Sequence, residues 1–157
     1  MLQAHVILSS VGLVTGLVAL IGMLRGQLLH GWMIAFLVTT ILTSLSGFPL
    51  EPFGFDPPRA VGILSLVLLA AALASLYGFH LTGLWRWIFV FGAVASFYLN
   101  IFVGVVQAFK HVSFLQPLAP TQSEPPFAIV QGIALLIFIV LGFLCLRRFH
   151  PSRATAA

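Results

Sequence analysis

The chain has 157 residues, of which 61% are apolar and 6% are charged, and its net charge is +4. A soluble domain has about 25% charged residues, and one of this size could not hide so much apolar surface, so lipid is the expected environment. No basic patch with interleaved polar residues is present, which argues against a nucleic-acid partner. The single cysteine, Cys145, excludes a disulfide framework and a thiolate zinc site within one chain.

Five long apolar runs follow one another along the chain. A membrane-spanning helix needs about 20 mostly apolar residues, and each run reaches that length. The runs are continuous, whereas barrel strands alternate apolar and polar residues. The sequence therefore predicts an all-α integral membrane bundle of five transmembrane helices, in a single domain of residues 1–149 followed by a cytoplasmic tail of residues 150–157. The predicted spans are 5–24, 31–50, 60–79, 84–109 and 127–146.

The charges between the runs predict how the chain crosses the membrane. With five spans, one side receives five arginines, and the other receives all three acidic residues with Arg59 and Lys110. The positive-inside rule puts the arginine-rich side in the cytoplasm, so the N-terminus is outside and the C-terminus is cytoplasmic. The five arginines are Arg25, Arg86, Arg147, Arg148 and Arg153.

The first span carries Gly12 and Gly16, four residues apart. Small residues at this spacing let two helix backbones approach closely in a membrane. Two interpretations stay open, a contact with a second copy of the chain and close packing against another helix of the same chain. The second is the simpler interpretation.

The fourth span carries a polar stripe, because Ser96, Asn100, Gly104 and Gln107 step by 4, 4 and 3 residues. An amide in hydrocarbon is costly without a hydrogen-bond partner, so these side chains are expected to face the bundle. They either bond to neighbouring helices or line a site for a ligand.

Polar residues of four spans reach a similar depth in the outer half of the predicted bundle, with Ser65 contributing from the third span. This convergence predicts an outward-facing polar pocket that binds or passes a small solute or docks a membrane partner. The expected lining is Thr43, Ser46, Asn100, Gln107 and Gln131, and the expected residues of the mouth are Asp56 and Glu124.

Histidines support an alternative function. Five are present, all at span ends, and an outer and an inner group suggest axial pairs for b-type haem. A redox protein that binds haem or a quinone is therefore the first alternative, although axial ligands usually lie within helices. No histidine or glutamate pair has the spacing of a metal site. The weak haem candidates are His5, His30, His80 and His111, with His150 as a further inner histidine.

Enzyme motifs are absent: no G-x-S-x-G, H-E-x-x-H or P-loop occurs, so no catalytic residues are expected. No acidic residue lies within a span, which disfavours a carboxylate proton relay. An accessory subunit of a larger membrane complex is the second alternative. A homo-oligomer also stays open.

Five segments together resemble a known family: "HGWMIAFLVTTILTSLSGFP", "VGILSLVLLAAAL", "GLWRWIFV", "FYLNIFVGVVQAF" and "LAPTQSEPPF". The resemblance covers about residues 24–149 and is to small uncharacterised inner-membrane proteins of Gram-negative bacteria. It implies a multi-pass protein of the bacterial inner membrane and no particular activity. The first two spans are also loosely similar to a second family of bacterial membrane proteins, in which a histidine opens each of the first two helices and a Ser-Gly pair lies near the end of the second. His5, His30, Ser46 and Gly47 fit that pattern.

The stretch "LAPTQSEPPF" connects spans 4 and 5. Ser123 is predicted to be the N-cap of the fifth helix, because Glu124, Pro125 and Pro126 would then occupy positions where proline loses no hydrogen bond and a carboxylate suits the helix dipole. The preceding "LAPTQ" is interpreted as a rigid segment, and a candidate lid, over the outer end of the bundle.

Overall fold

A computed structural model describes residues 2–48 and 57–151. Over these residues the fold is all-helical, and five of its helices are long and apolar enough to cross a membrane, as predicted. Residues 49–56 of the α2–α3 connection, which include Asp56, and residues 152–157 of the predicted tail lie outside the described residues. The helices are α1 (Leu2–Leu24), α2 (His30–Gly47), α3 (Pro57–Leu73), α4 (Leu84–His111) and α5 (Pro125–Arg148).

Consecutive helices pack side by side, with α1 on α2, α3 on α4 and α4 on α5. α4 is the longest and touches all the others, so it forms the axis of the bundle. α5 packs mainly on α4 and leaves most of its apolar surface exposed. Such a surface is unfavourable in water and natural in lipid, which agrees with a membrane bundle.

Glycines set the closest helix approaches. A Cβ added at Gly16 of α1 would lie 2.7 Å from the ring of Phe97 and 2.9 Å from that of Phe36. A Cβ at Gly92 of α4 would lie 2.8 Å from the backbone oxygen of Leu68 in α3. The small residues of α1 therefore serve packing within the chain, which was the simpler of the two interpretations.

α3 does not end as a regular α-helix. Residues Ala74–Gly78 form a π-helical turn, in which the backbone N–H of Phe79 donates to the carbonyl of Ala74 at 3.0 Å. The chain then reverses through His80 and Leu81, both at positive φ, before α4 begins. The continuous apolar run gave no sign of this widened turn, because its hydrophobicity does not change there.

The ends of three helices meet at one end of the bundle. The Nη1 atom of Arg86, at the start of α4, donates to the carbonyls of Leu146 and Phe149 at 2.8 Å each. Gly26, just after α1, lies so close to the end of α5 that a Cβ would come within 2.9 Å of the Arg148 carbonyl. We call this end the arginine end, and the opposite end, which holds the α4–α5 connection, the loop end.

Candidate functional site

Polar contacts gather on the half of α4 that is nearer to the loop end. Nδ2 of Asn100 donates to Oγ1 of Thr40 in α2 at 3.0 Å. Nε2 of Gln131 in α5 donates to the carbonyl of Phe102 at 3.1 Å. Two neighbouring helices are therefore tied to less than one turn of α4. We call the buried and partly buried polar side chains around this segment the polar band: Thr39, Thr40, Thr43, Ser65, Ser96, Asn100 and Gln131.

Gly12 of α1 makes room for the contact between α2 and α4. A Cβ at this position would lie 3.4 Å from Oγ1 of Thr39, 3.5 Å from Oγ1 of Thr40 and 3.7 Å from Nδ2 of Asn100. The backbone of α1 thus forms one wall of the polar band. A larger residue at position 12 would crowd the amide and both hydroxyl groups.

Four buried oxygen atoms in the polar band have no hydrogen-bond partner, one on each of the helices α2 to α5. A buried polar atom left unpaired costs about 1–3 kcal/mol, and such atoms are few in native proteins. In hydrocarbon the cost is not relieved by bulk water. The band therefore retains hydrogen-bonding capacity that a small polar molecule would satisfy. The atoms are Oγ1 of Thr43, Oγ of Ser65, Oγ of Ser96 and Oε1 of Gln131.

Two of these oxygens belong to the interface between α3 and α4. Ser96 follows Gly92 by four residues and therefore shares its helix face, and Ser65 shares a face with Leu68 by the three-residue spacing. The contact between Gly92 and the Leu68 carbonyl places both serines in this interface. Both side chains are buried, so neither hydroxyl reaches the surface of the bundle.

The predicted lining is brought together only in part. Asn100 and Gln131 take part in the contacts described above, and the Thr43 hydroxyl, three residues after Thr40 in α2, is buried. Gln107, in contrast, is exposed on the last turns of α4. The four-residue stripe therefore turns away from the bundle at its loop end.

Ser46, the remaining predicted lining residue, pairs with a histidine. Its Oγ donates to the carbonyl of Thr43 at 3.0 Å and lies 2.9 Å from Nδ1 of His5. The single hydroxyl hydrogen of Ser46 serves either the Thr43 carbonyl or Nδ1, so the direction of the second contact depends on the tautomer of His5. This contact joins the first turns of α1 to the last turn of α2 at the loop end.

The other histidines do not join His5. His30 meets the ring of Tyr77 edge-on with centroids 6.1 Å apart, at the arginine end. His80, His111 and His150 are exposed. Among the residues that the structure describes, no three His, Cys, Asp or Glu side chains come together as a metal site would require.

The connection before α5 corrects the predicted helix start. The N-cap is Glu124, at φ −74° and ψ 155°, and the two prolines occupy the first two helical positions. The prediction of Ser123 as N-cap is wrong by one residue. The reason is that a residue followed by proline avoids the helical region, so Glu124 stays extended and cannot be the first helical residue.

Glu124 is also bound within its own connection. Its carboxylate accepts hydrogen bonds from the hydroxyl of Thr121 at 2.7 Å, from the Thr121 N–H at 3.1 Å and from the Ser123 N–H at 3.1 Å. The Thr121 hydroxyl is the main reason why the pKa of Glu124 lies below its ordinary value. The carboxylate therefore organises the turn before α5.

The "LAPTQ" segment lies against the bundle. Ala119 is buried, and Nε2 of Gln122 donates to the carbonyl of Val106 in α4 at 3.1 Å. Gln122 has a φ of 61°, a left-handed conformation that is uncommon for a residue other than glycine. The sequence did not single out Gln122, because neither its residue type nor its spacing distinguishes it from an ordinary loop glutamine.

Neither a family model nor a curated protein nor a solved structure matches this chain. Its function is therefore inferred from the contacts of its own residues.

Proposed function

We propose that the chain is a multi-pass protein of the bacterial inner membrane that binds or passes a small uncharged polar solute in the polar band. The observation that supports the proposal is the set of four buried oxygens without a partner, on four different helices. A molecule that offers hydrogen-bond donors and acceptors would relieve an unfavourable state that packing alone leaves in place.

The orientation we propose has the N-terminus outside and the C-terminus in the cytoplasm. The arginines that follow α1, begin α4 and end α5 lie at one end of the bundle, as the positive-inside rule requires of a cytoplasmic face. The polar band then belongs to the outer half, with the connection that holds Glu124 above it. In this orientation the solute enters from outside, and the "LAPTQ" segment is the cover it passes.

The chemistry of the band restricts the solute. Its side chains are hydroxyls and amides, and none carries a charge. An ion would have no opposite charge to compensate for its desolvation, whereas a polyol or a small amide would find both donors and acceptors. Glycerol is a suitable probe, since its three hydroxyls match this lining.

Glycerol transfer can be measured with the purified protein in vesicles. Proteoliposomes shrink when external glycerol is raised and swell again as glycerol enters, which light scattering follows in a stopped-flow instrument. We expect faster swelling than in protein-free vesicles, and we expect Gln131→Leu to remove most of the difference. Saturation-transfer NMR in detergent detects binding without transfer, with glycerol as the observed molecule.

A matched control is Gln107→Leu, because this glutamine is exposed and lies outside the band. It should leave swelling and saturation transfer unchanged. Asn100→Leu removes the hydrogen bond to Thr40 that helps α2 pack on α4. Comparing the stability of this variant with its glycerol binding separates an effect on packing from an effect on binding. The proposal is contradicted if folded Gln131→Leu and wild-type protein give the same swelling rate and the same saturation transfer.

The alternative of a haem or quinone protein has one contact in its favour. The Ser46 hydroxyl lies 2.9 Å from Nδ1 of His5, and a histidine that binds haem through Nε2 usually has its other ring nitrogen held by such a hydrogen bond. A reduced-minus-oxidised visible spectrum of protein from haem-replete cells distinguishes the two functions. Haem bands that disappear in His5→Ala would favour the redox function over solute binding.

The alternative of an accessory subunit, or of a homo-oligomer, makes a different prediction. A membrane partner would co-purify in mild detergent in a fixed ratio, and glycerol would neither bind nor cross. A solute-binding bundle is complete as one chain, so its saturation-transfer signal should persist in a monomeric preparation.

A further inference from the structure

An apolar groove of about 340 Å³ runs between α4 and α5. Its walls are residues 90–98 of α4 and residues 135–146 of α5. The volume falls within the range of about 300–1,000 Å³ that is usual for small-molecule pockets. Gly142 lies at the bottom of the groove, where an added Cβ would be 3.6 Å from Cγ1 of Val94. Because glycine has no side chain, the groove is deeper at this position.

The groove reaches from the arginine end to about the middle of the bundle. Leu135 and Leu146 lie about 16 Å apart along α5, at 1.5 Å per residue. Tyr98 and Phe138, whose ring centroids are 5.7 Å apart, face each other across the part of the groove that is nearer to the middle of the bundle. One leaflet of a bilayer is about 15 Å of hydrocarbon, so the groove matches the depth of a single leaflet.

Positive charge stands at the open end of the groove. The guanidinium of Arg147 lies 4.6 Å from the ring centroid of Phe143, a residue of the groove wall. The guanidinium of Arg86 donates to the carbonyl of Leu146, the last residue of that wall. Two cations therefore flank the place where an apolar chain would leave the groove.

Among the residues that the structure describes, no carboxylate side chain lies beside these arginines. Glu124, the one acidic side chain among them, is at the loop end, where Thr121 and Ser123 donate to it. Anionic headgroups lie at the level of the arginines in a membrane and complement their charge.

We propose that the groove holds one acyl chain of an anionic phospholipid, with its phosphate between Arg147 and Arg86. The occupant is a lipid and not a helix of a second copy, because a helix would need about 30 Å of apolar contact and the groove offers half of that. This site is separate from the polar band, so it does not depend on the proposed solute.

Native mass spectrometry of the purified protein tests the site with two probes, phosphatidylglycerol and phosphatidylcholine, in competition. We expect one phosphatidylglycerol to be retained in preference to phosphatidylcholine. Arg147→Gln should lower that preference about fivefold, equivalent to about 1 kcal/mol for one arginine near a headgroup. Gly142→Leu should fill the groove and reduce the retention of both lipids.

Each variant has a matched control on α5. Arg148→Gln removes a neighbouring charge that lies off the groove, and Gly132→Leu adds the same side chain where a Cβ would meet nothing within 4 Å. Both should retain lipid as wild type does. If Arg147→Gln and Arg148→Gln lowered the lipid preference equally, general surface charge would explain that preference and the proposed site would be wrong. Unchanged retention in a folded Gly142→Leu, or a dimer in place of the lipid adduct, would also overturn the site.

Discussion

At the scale of single residues, hydroxyl groups in this bundle divide into two kinds. Those of Thr15 and Ser75 donate to the carbonyl four residues earlier, at 2.8 Å and 2.7 Å, and so offer little to a neighbour. Those of Ser65 and Ser96 make no such bond although every helical serine has a carbonyl four residues back. Both side chains are buried, so their hydroxyls keep hydrogen-bonding capacity that the proposed solute would use.

Glu124 should titrate below the ordinary glutamate pKa, and its titration should report on the turn before α5. Its folded pKa is below the ordinary value because Thr121 and Ser123 donate to the carboxylate. The stabilisation of the turn is therefore complete above the ordinary glutamate pKa and is lost as pH falls through the lower, folded pKa. NMR shifts of the Thr121 and Ser123 amide protons, recorded from pH 7 downward, should follow this single acidic transition.

Two variants check the assignment. Glu124→Gln should abolish the transition in both amide shifts, and Thr121→Val should move it towards the ordinary glutamate pKa, since it removes the largest cause of the shift. An amide transition that survives in Glu124→Gln would show that another group controls the turn.

At the scale of elements, the sequence predicted what depends on hydrophobic length and missed what depends on local geometry. Five helices follow from five apolar runs, because a continuous run of this length satisfies its own backbone hydrogen bonds in lipid as a helix, whereas barrel strands would alternate apolar and polar residues. The start of α5 and the π-helical turn after α3 depend on single backbone angles, which a run of apolar residues does not encode. Gln107 was misplaced in the interior because a stripe drawn by spacing alone does not show where a helix end leaves the bundle.

The approach of α1 to α2 and α4 should be sensitive to one methyl group. Gly16→Ala would place a Cβ less than 3 Å from the buried rings of Phe97 and Phe36, which are themselves packed edge to face at 5.8 Å. Overpacking of this kind costs about 1–3 kcal/mol. The free energy of unfolding, measured in bicelles by denaturant titration, should fall by that amount.

Gly104→Ala is the matched control in α4, because a Cβ there would meet nothing within 4 Å. It should leave stability unchanged or raise it by up to about 1 kcal/mol, as replacing a mid-helix glycine does. Equal losses in both variants would mean that the two helices respond to glycine replacement itself and not to the contact with the phenylalanine rings.

At the scale of the whole molecule, the bundle is divided along its axis. The largest buried apolar side chains, such as Phe36, Phe89 and Phe149, lie towards the arginine end, whereas the Asn100–Thr40 bond and the buried Gln131 lie towards the loop end. Apolar packing in one half fixes the helices relative to one another. The other half can then keep unpaired polar atoms without losing the fold, which is the arrangement a binding site needs.

The proposed orientation makes a prediction about access from the two sides of the membrane. Ser113 is exposed in the connection at the loop end, and His150 is exposed just beyond α5 at the arginine end. In spheroplasts, a membrane-impermeant maleimide should label Ser113→Cys directly and His150→Cys only after permeabilisation. Cys145 is buried and serves as the unlabelled background. The reverse pattern would put the arginines outside and the polar band on the cytoplasmic side, so that a solute would enter from within the cell.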